Sequence, residues 1–462
     1  MPATSALGPG QPALLRVLGR AFGLAIIVGA TIGGGILRTP GSVAAALPSR
    51  TLYMSAWALG GVITLLGAVI YAELGAMIPR AGGPYVFAHR AFGNGMGFFV
   101  GYGDWLNFGL GHAFLILLVS EYLGAVIPIL SGHVRLVALA TLTVFAGLNW
   151  LGVRLAGWTQ EITSALKAAA LVGLVVAAFT LPHSTAVPVA VAHPVVPHGI
   201  GLLLAFGLAM QGVFFTYDSY YTVVYCSEEI RDPGREIPKS IFNGVWLVIA
   251  IYLLVNAAFL AVLPFSRMAN DPFVAGTVAN ALFGRQGETI ITLIMIVSLF
   301  GTISTGTIAA PRIVLAMARD GLFPPQATRV SERGTPVVAL FMTVVLMAVF
   351  ILSGTSDQVL AADVLLAVSL YVITFTSYFV LRRREPNTAR PYKALGHPII
   401  PALAVLVAAA LVTSIVFSDH RSALVVAALF AISWPASWIA RRLIQRSEPH
   451  SSKRTPDSTE VR

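Results

Sequence analysis

Charge and cysteine are both scarce in this chain, and each scarcity excludes something. Only 11% of the 462 residues are charged, against about 25% in soluble globular domains. There is too little polar surface to face water on all sides. A single cysteine, Cys226, rules out an intramolecular disulfide. Catalytic constellations are missing as well. His183, His193 and His198 are scattered along one Pro/Val-rich stretch without the spacing of zinc ligands. No nucleophile–base pair, metal cluster or phosphate-binding loop supports an integral-membrane enzyme, so neither a metal nor a cofactor is expected.

What the chain has in abundance is apolar sequence. Runs near the roughly 20 residues that a helix needs to cross hydrocarbon recur from end to end. They start near residues 17, 52, 95, 134, 160, 200, 239, 287, 335, 358, 398 and 421. About twelve spans are therefore expected, with the longest connections at 182–199 and 264–286 and no large soluble domain. The net charge of +10 reports topology, not a nucleic-acid partner. With both termini inside, one set of loops holds 23 of the 30 Lys and Arg residues, and the other holds Arg38, Arg50, Arg135, Arg267, Arg285 and Arg421. Lys167 is left inside a span. Cytoplasmic loops carry such an excess, so both ends are placed in the cytoplasm of a plasma-membrane protein. Cys226 then lies toward a cytoplasmic end, which argues against a disulfide-linked partner chain. The first apolar segment lacks a signal-peptide cleavage site, and the tail "RSEPHSSKRTPDSTEVR" reads as disordered.

Two spans are interrupted. In "IIVGATIGGGILRTPG" (Ile26–Gly41), Gly33, Gly34 and Gly35 fall together in mid-span, and Arg38 and Pro40 follow. In the sixth span, Thr216, Asp218 and Ser219 stand among tyrosines and apolar residues. Unsatisfied backbone groups cost several kcal/mol in hydrocarbon, so a broken helix persists only around a protein-enclosed cavity or site. If spans 1–5 and 6–10 are two repeats, each opens on a break. Five is odd, so the second copy is inverted, the arrangement that marks a transporter's midplane site. The expected organisation is a cytoplasmic tail over 1–15, repeats over 16–184 and 200–385, two further spans over 397–442 and a cytoplasmic tail over 443–462.

Four motifs carry a family resemblance. "GATIGGGILRTPG" resembles the first-span motif of the amino acid–polyamine–organocation superfamily. "YAELGAMIPRAGGPYVFAHRAFG" resembles its second-span and first-loop signature. "FFTYDSYYTVVYCSEEIRDPGREIPKSI" resembles the sixth span and its loop, especially in the L-type amino acid transporter branch, and "FGTISTGTIAAPRIVLAMARDGLFP" resembles span eight. The resemblance covers roughly residues 15–440. It implies an all-α polytopic membrane protein with a LeuT-like five-plus-five inverted repeat, two additional C-terminal helices and alternating access for amino acids.

The implied site is physically reasonable. A helix beginning after the glycines offers free N–H groups and a positive dipole end to a carboxylate. Glycine admits that anion close to the backbone. The resemblance places the carboxylate on the amides of Gly34 and Gly35, next to Gly33. It places the ammonium on carbonyls of Thr31, Phe215 and Asp218, with Phe215 covering the substrate as a gate. Thr216 belongs to the same break, and Tyr220 and Tyr221 border the side-chain pocket, which leans toward small or medium neutral substrates. Asp218, an acid inside a membrane, either selects cationic substrates or caps the following half-helix.

Lys167, in "WTQEITSALKAAALVGLVVAAF", bears on the energy source. The resemblance sets its ammonium where sodium-coupled relatives hold Na⁺, facing the carbonyls of Gly29 and Ile32 with Thr302 and Thr305. Gly306 stands where those relatives keep a second hydroxyl, which weakens a sodium site. Two readings stay open: a lysine that cycles its proton, with protons as coupling partner, or a fixed cation in a sodium-independent exchanger. Glu73 reads as structural near a cytoplasmic end, while Asp104 and Glu121 carry no role. The loop "SEEIRDPGREIPKSI" is either an inward gate or a solvated patch. The expected function is secondary transport of L-α-amino acids, neutral ones by the pocket's bulk; the alternative is a cationic amino acid or polyamine carrier with Asp218 as counter-charge. A channel would need a continuous polar pore, and the polar residues cluster at two breaks instead.

Overall fold

A computed structural model describes residues 18–447, apart from 152, 183–198, 270 and 355. The N-terminal tail, the histidines of the 182–199 loop and the tail beyond 447 therefore lie outside the described residues.

The first span is two helices, α1 (Arg20–Thr31) and α2 (Gly34–Ala46). Next come α3 (Arg50–Met77), a short α4 (Pro84–Phe92), α5 (Asn94–Val126), α6 (Val134–Trp150) and α7 (Val153–Thr180). The second half repeats the plan. It opens on α8 (Ile200–Tyr217) and a 3₁₀ segment, Thr222–Glu229, followed by α9 (Pro233–Val262), short α10 (Phe265–Met268), α11 (Val274–Arg319), α12 (Val337–Ser353) and α13 (Ser356–Arg384). Helices α14 (Ile399–Ser418) and α15 (His420–Ser447) close the chain. Among the described residues, eleven helices are long and apolar enough to cross a membrane, counting α1–α2 as one, and α12 is a shorter apolar helix of 17 residues.

The packing is the same when the two halves are exchanged. Helix α7 lies on α11 as α13 lies on α5, and α6 meets α11 as α12 meets α5. Likewise α1 packs on α9 and α7 as α8 packs on α3 and α13. The pairs α3–α9 and α5–α11 map onto themselves. This is the fold class that the interrupted spans and the odd count per half imply. One stretch differs from expectation: the 264–286 connection is largely helical, because α10 and the start of α11 occupy it. The chain turns at Gly284 (φ 68°) inside α11. Its "VAGTVANALF" is apolar and free of helix breakers other than one glycine, so it continues as helix rather than loop.

Candidate functional site

Both breaks are present as gaps between helices. The amide of Ile32 donates to Val28 O at 2.9 Å, which closes α1, and Gly33 is extended (φ −136°, ψ −144°) before α2 starts at Gly34. The first amides of α2 consequently have no intrahelical acceptor. In span six the amide of Asp218 closes α8 on Phe214 O at 2.9 Å, and Ser219 adopts a left-handed φ of 70°. A non-glycine residue rarely adopts this conformation, which costs on the order of 1–3 kcal/mol.

The two breaks are clamped together. Tyr252 Oη, fully buried on α9, contacts Thr31 O at 2.6 Å and Thr216 O at 3.0 Å. One hydroxyl proton serves both carbonyls. The hydroxyls of Thr39 and Thr216 lie 2.7 Å apart. A Cβ on Gly35 would fall 2.7 Å from Thr216 Cα, so only glycine allows α2 and α8 to approach this closely.

Between the breaks is a cavity of about 60 Å³. A water needs roughly 10–15 Å³ by this measure, so the space suits on the order of five atoms of that size. Thr31, Gly33, Gly34 and Gly35 line it from span one, and Phe215, Asp218 and Tyr221 from span six. Phe215 stands edge-on to Phe114, with centroids 5.7 Å apart. Asp218 accepts a hydrogen bond from Tyr371 Oη. The 3₁₀ segment is capped at Tyr221 without a side-chain hydrogen bond. Thr216 and Tyr220 are not among the cavity's lining residues. Thr216 holds α2, and Tyr220 faces a neighbouring pocket with Phe214 and Phe375.

Among the lining residues that went unassigned in the sequence are Asn107, His112 and Asp363. Asn107 Nδ2 donates to Asp363 Oδ1 at 2.6 Å, which joins spans three and ten across the cavity. His112 Nδ1 lies 2.8 Å from Phe108 O. That contact requires Nδ1–H. A Cβ on Gly306 would overlap the His112 imidazole. The ring thus fills the space that a hydroxyl-bearing residue at 306 would need. Asp363 was legible in principle, as an acid within the apolar run "VLAADVLLAVSLY".

Lys167 lies beside the cavity, not in its lining. Its buried Nζ donates to Gly29 O and Ile32 O at 2.7 Å each and to Thr302 Oγ1 at 3.2 Å. Three protons meet three acceptors. Thr302 in turn donates to Gly29 O at 2.9 Å. The side chain of Thr305 lies outside the described residues.

The remaining acids in the spans have partners. Asp104 accepts from Tyr225 Oη at 2.8 Å, and Glu121 faces Arg38 at 3.4 Å. Glu73 accepts from Arg382, Arg390 and the Ala394 amide. In the loop after span six, Glu228 and Glu229 reach back to Arg319 (2.9 Å) and Arg312 (2.8 Å) of α11, whereas Arg231, Asp232 and Arg235 are exposed. At the C-terminal end of α11, Asp320 accepts from Arg80 at 2.8 Å and from Tyr85 Oη at 2.9 Å. Burial alone would raise the Asp320 carboxyl, but hydrogen bonds from His89, Arg80 and Tyr85 outweigh it and bring it down to about 2. The Arg312–Glu229 pair is 2% and 1% exposed. Arg312→Ala strands a buried carboxylate, a change that costs about 3–5 kcal/mol. We expect a melting temperature in detergent lowered by many degrees, with Glu229→Gln in the same background restoring part of it.

Comparison with known proteins fits this geometry. A family model described as amino acid permease matches residues 22–435. The chain belongs to that family. It is 26% identical to the "Serine/threonine exchanger SteT" of Bacillus subtilis over 85% of this chain and 89% of that protein. The human "b(0,+)-type amino acid transporter 1" is 26% identical over 92% of this chain and 88% of its own. The rat "Large neutral amino acids transporter small subunit 2" is 29% identical over 86% and 76%. The permease match runs through both breaks, Lys167 and the Asn107–Asp363 pair. Descent from amino acid transporters is thus continuous across the whole described site.

Proposed function

We propose that this permease exchanges small neutral L-α-amino acids across the plasma membrane by alternating access, without sodium. The observation that carries the reading is the cavity between two broken helices, with free amides on one wall and carbonyls on the other. The substrate carboxylate is held by the amides of Gly34 and Gly35, and its ammonium by the second lone pairs of Thr31, Phe215 and Asp218 carbonyls. Phe215 covers it. A relative named as a serine/threonine exchanger supports small side chains. Asp218, engaged by Tyr371, and the limited space both disfavour the long side chains of a cationic or polyamine carrier. The exchanging unit is the pair of inverted repeats at 16–184 and 200–385, with both termini cytoplasmic. Cys226 is fully buried, which supports a chain without a disulfide-linked partner.

Exchange is favoured over proton coupling because the Lys167 ammonium spends all three donors bracing the first break. Proteoliposomes loaded with unlabelled serine test this. Labelled serine and alanine enter loaded vesicles and not empty ones, and replacing Na⁺ with choline changes nothing. Accumulation in empty vesicles under an imposed pH gradient defeats exchange, and failure of every amino acid to enter defeats the substrate class. Asp363→Ala removes a hydrogen-bond acceptor from the cavity wall, where a hydrogen bond is worth about 0.5–1.5 kcal/mol. Serine entry relative to alanine entry falls roughly two- to ten-fold in that variant.

A further inference from the structure

A second cavity opens at the cytoplasmic rim between α13 and α14, and it shares no residue with the site between the breaks. Its volume is about 550 Å³, and Phe379, Arg382, Arg383, Arg390, Lys393 and His397 line it. The floor is fixed rather than loose. Arg382 Nε donates to Glu73 Oε1 at 2.7 Å and Arg390 Nε at 3.0 Å, while the Ala394 amide donates to Glu73 Oε2 at 2.6 Å. The Arg390 side chain is only 5% exposed. Two of the four cationic side chains are thus paired with one buried carboxylate, Glu73, and the other two are not. The nearby Glu385 does not redress the balance, because Arg90 grips it at 2.7 and 2.8 Å. Arg383 and Lys393 stand exposed at the mouth.

Apolar surface adjoins this charge. Leu395 is 63% exposed and Ile399, the first residue of α14, is 75% exposed. They lie where the chain re-enters the membrane from the cytoplasmic side. A soluble anion needs the cations alone, whereas a cationic cradle bordered by bare aliphatic side chains at the interface suits an amphiphile. We propose that this cavity binds the headgroup of an anionic phospholipid of the cytoplasmic leaflet. Arg383 and Lys393 take the phosphodiester oxygens, with Arg382 and Arg390 behind them, since guanidinium groups match phosphate geometry. The acyl chains run over Leu395 and Ile399. The excess positive charge repels the ammonium of a zwitterionic headgroup, so selectivity is for net-anionic lipids.

Native mass spectrometry of the full chain in detergent tests this, with phosphatidylglycerol and phosphatidylcholine titrated separately. Wild type retains phosphatidylglycerol in preference to phosphatidylcholine. The double variant Arg383→Gln/Lys393→Gln spares the Glu73 network, and it loses affinity by roughly five-fold per cation, about 25-fold in all. Unchanged circular dichroism and melting show that the variant is folded; if it is not, each single variant is measured alone and the five-fold loss is sought there. Leu395→Ser/Ile399→Ser weakens lipid retention too. Equal retention of the two lipids by wild type overturns the proposal, as does undiminished retention by the folded cation variants. Displacement of the lipid by millimolar inorganic phosphate also overturns it, because the cavity would then be a site for free anions.

Discussion

Gly35→Ala abolishes measurable amino acid uptake while the chain remains folded and inserted. The added methyl would lie 2.7 Å from the Cα of Thr216 and 2.9 Å from its hydroxyl. Backbone cannot rotate away as a side-chain tip can, so α2 and α8 must separate. Overpacking of this kind costs about 1–3 kcal/mol of stability, too little to unfold a protein of this size. The effect on binding is larger. Separation shifts the Gly34 and Gly35 amides relative to the carbonyls across the cavity, and each hydrogen bond to a charged group is worth about 1.5–3 kcal/mol. Losing one lowers affinity roughly ten- to hundred-fold, and losing both multiplies the factors. Gly34→Ala is the matched control. Its methyl meets leucine side-chain ends alone, those of Leu118 and Leu115 at 2.9 and 3.0 Å and of Leu299 at 3.5 Å, which can move aside, so uptake falls far less. Counterflow with labelled serine and melting of the purified variants measure both quantities. Wild-type uptake by Gly35→Ala would mean that the carboxylate binds elsewhere.

The breaks were legible because three glycines within an apolar run, and an aspartate within another, conflict with an uninterrupted span. Lys167 was legible for the same reason: a cation buried in hydrocarbon must have partners, and carbonyls freed by a break are the available ones. Contacts made from distant positions were not legible. Nothing in "VIAIYLLVN" distinguishes Tyr252 from an aromatic facing lipid, yet its hydroxyl ties residue 31 to residue 216. Likewise, Gly306 reads as a missing hydroxyl until His112 is seen against it. Adjacent tyrosines at a bend pose a related difficulty. Helical periodicity fails where the helix does, so no pattern tells that Tyr221 faces the cavity and Tyr220 its neighbour.

Lys167→Ala should eliminate every mode of transport, and the way it does so separates the two roles open to this lysine. Removing the ammonium leaves Gly29 O, Ile32 O and the Thr302 hydroxyl converging on an empty space. Each unsatisfied buried polar group costs about 1–3 kcal/mol, enough to let the first break rearrange and to lower uptake by two orders of magnitude or more. Arginine does not restore it, since a planar fork cannot reproduce three converging donors from a single point. Sodium does not restore it either: among the described residues three oxygens remain, and the imidazole of His112 fills the space beside Gly306 from which a fourth would come. Uptake by the variant is therefore equally low in Na⁺ and in choline. Counterflow at uniform pH then decides the role. A lysine that only ferries protons is dispensable when substrate exchanges for substrate with no pH gradient, so the variant would keep counterflow and lose gradient-driven accumulation. A lysine that braces the broken helix is needed whenever the cavity must form, so counterflow vanishes together with everything else.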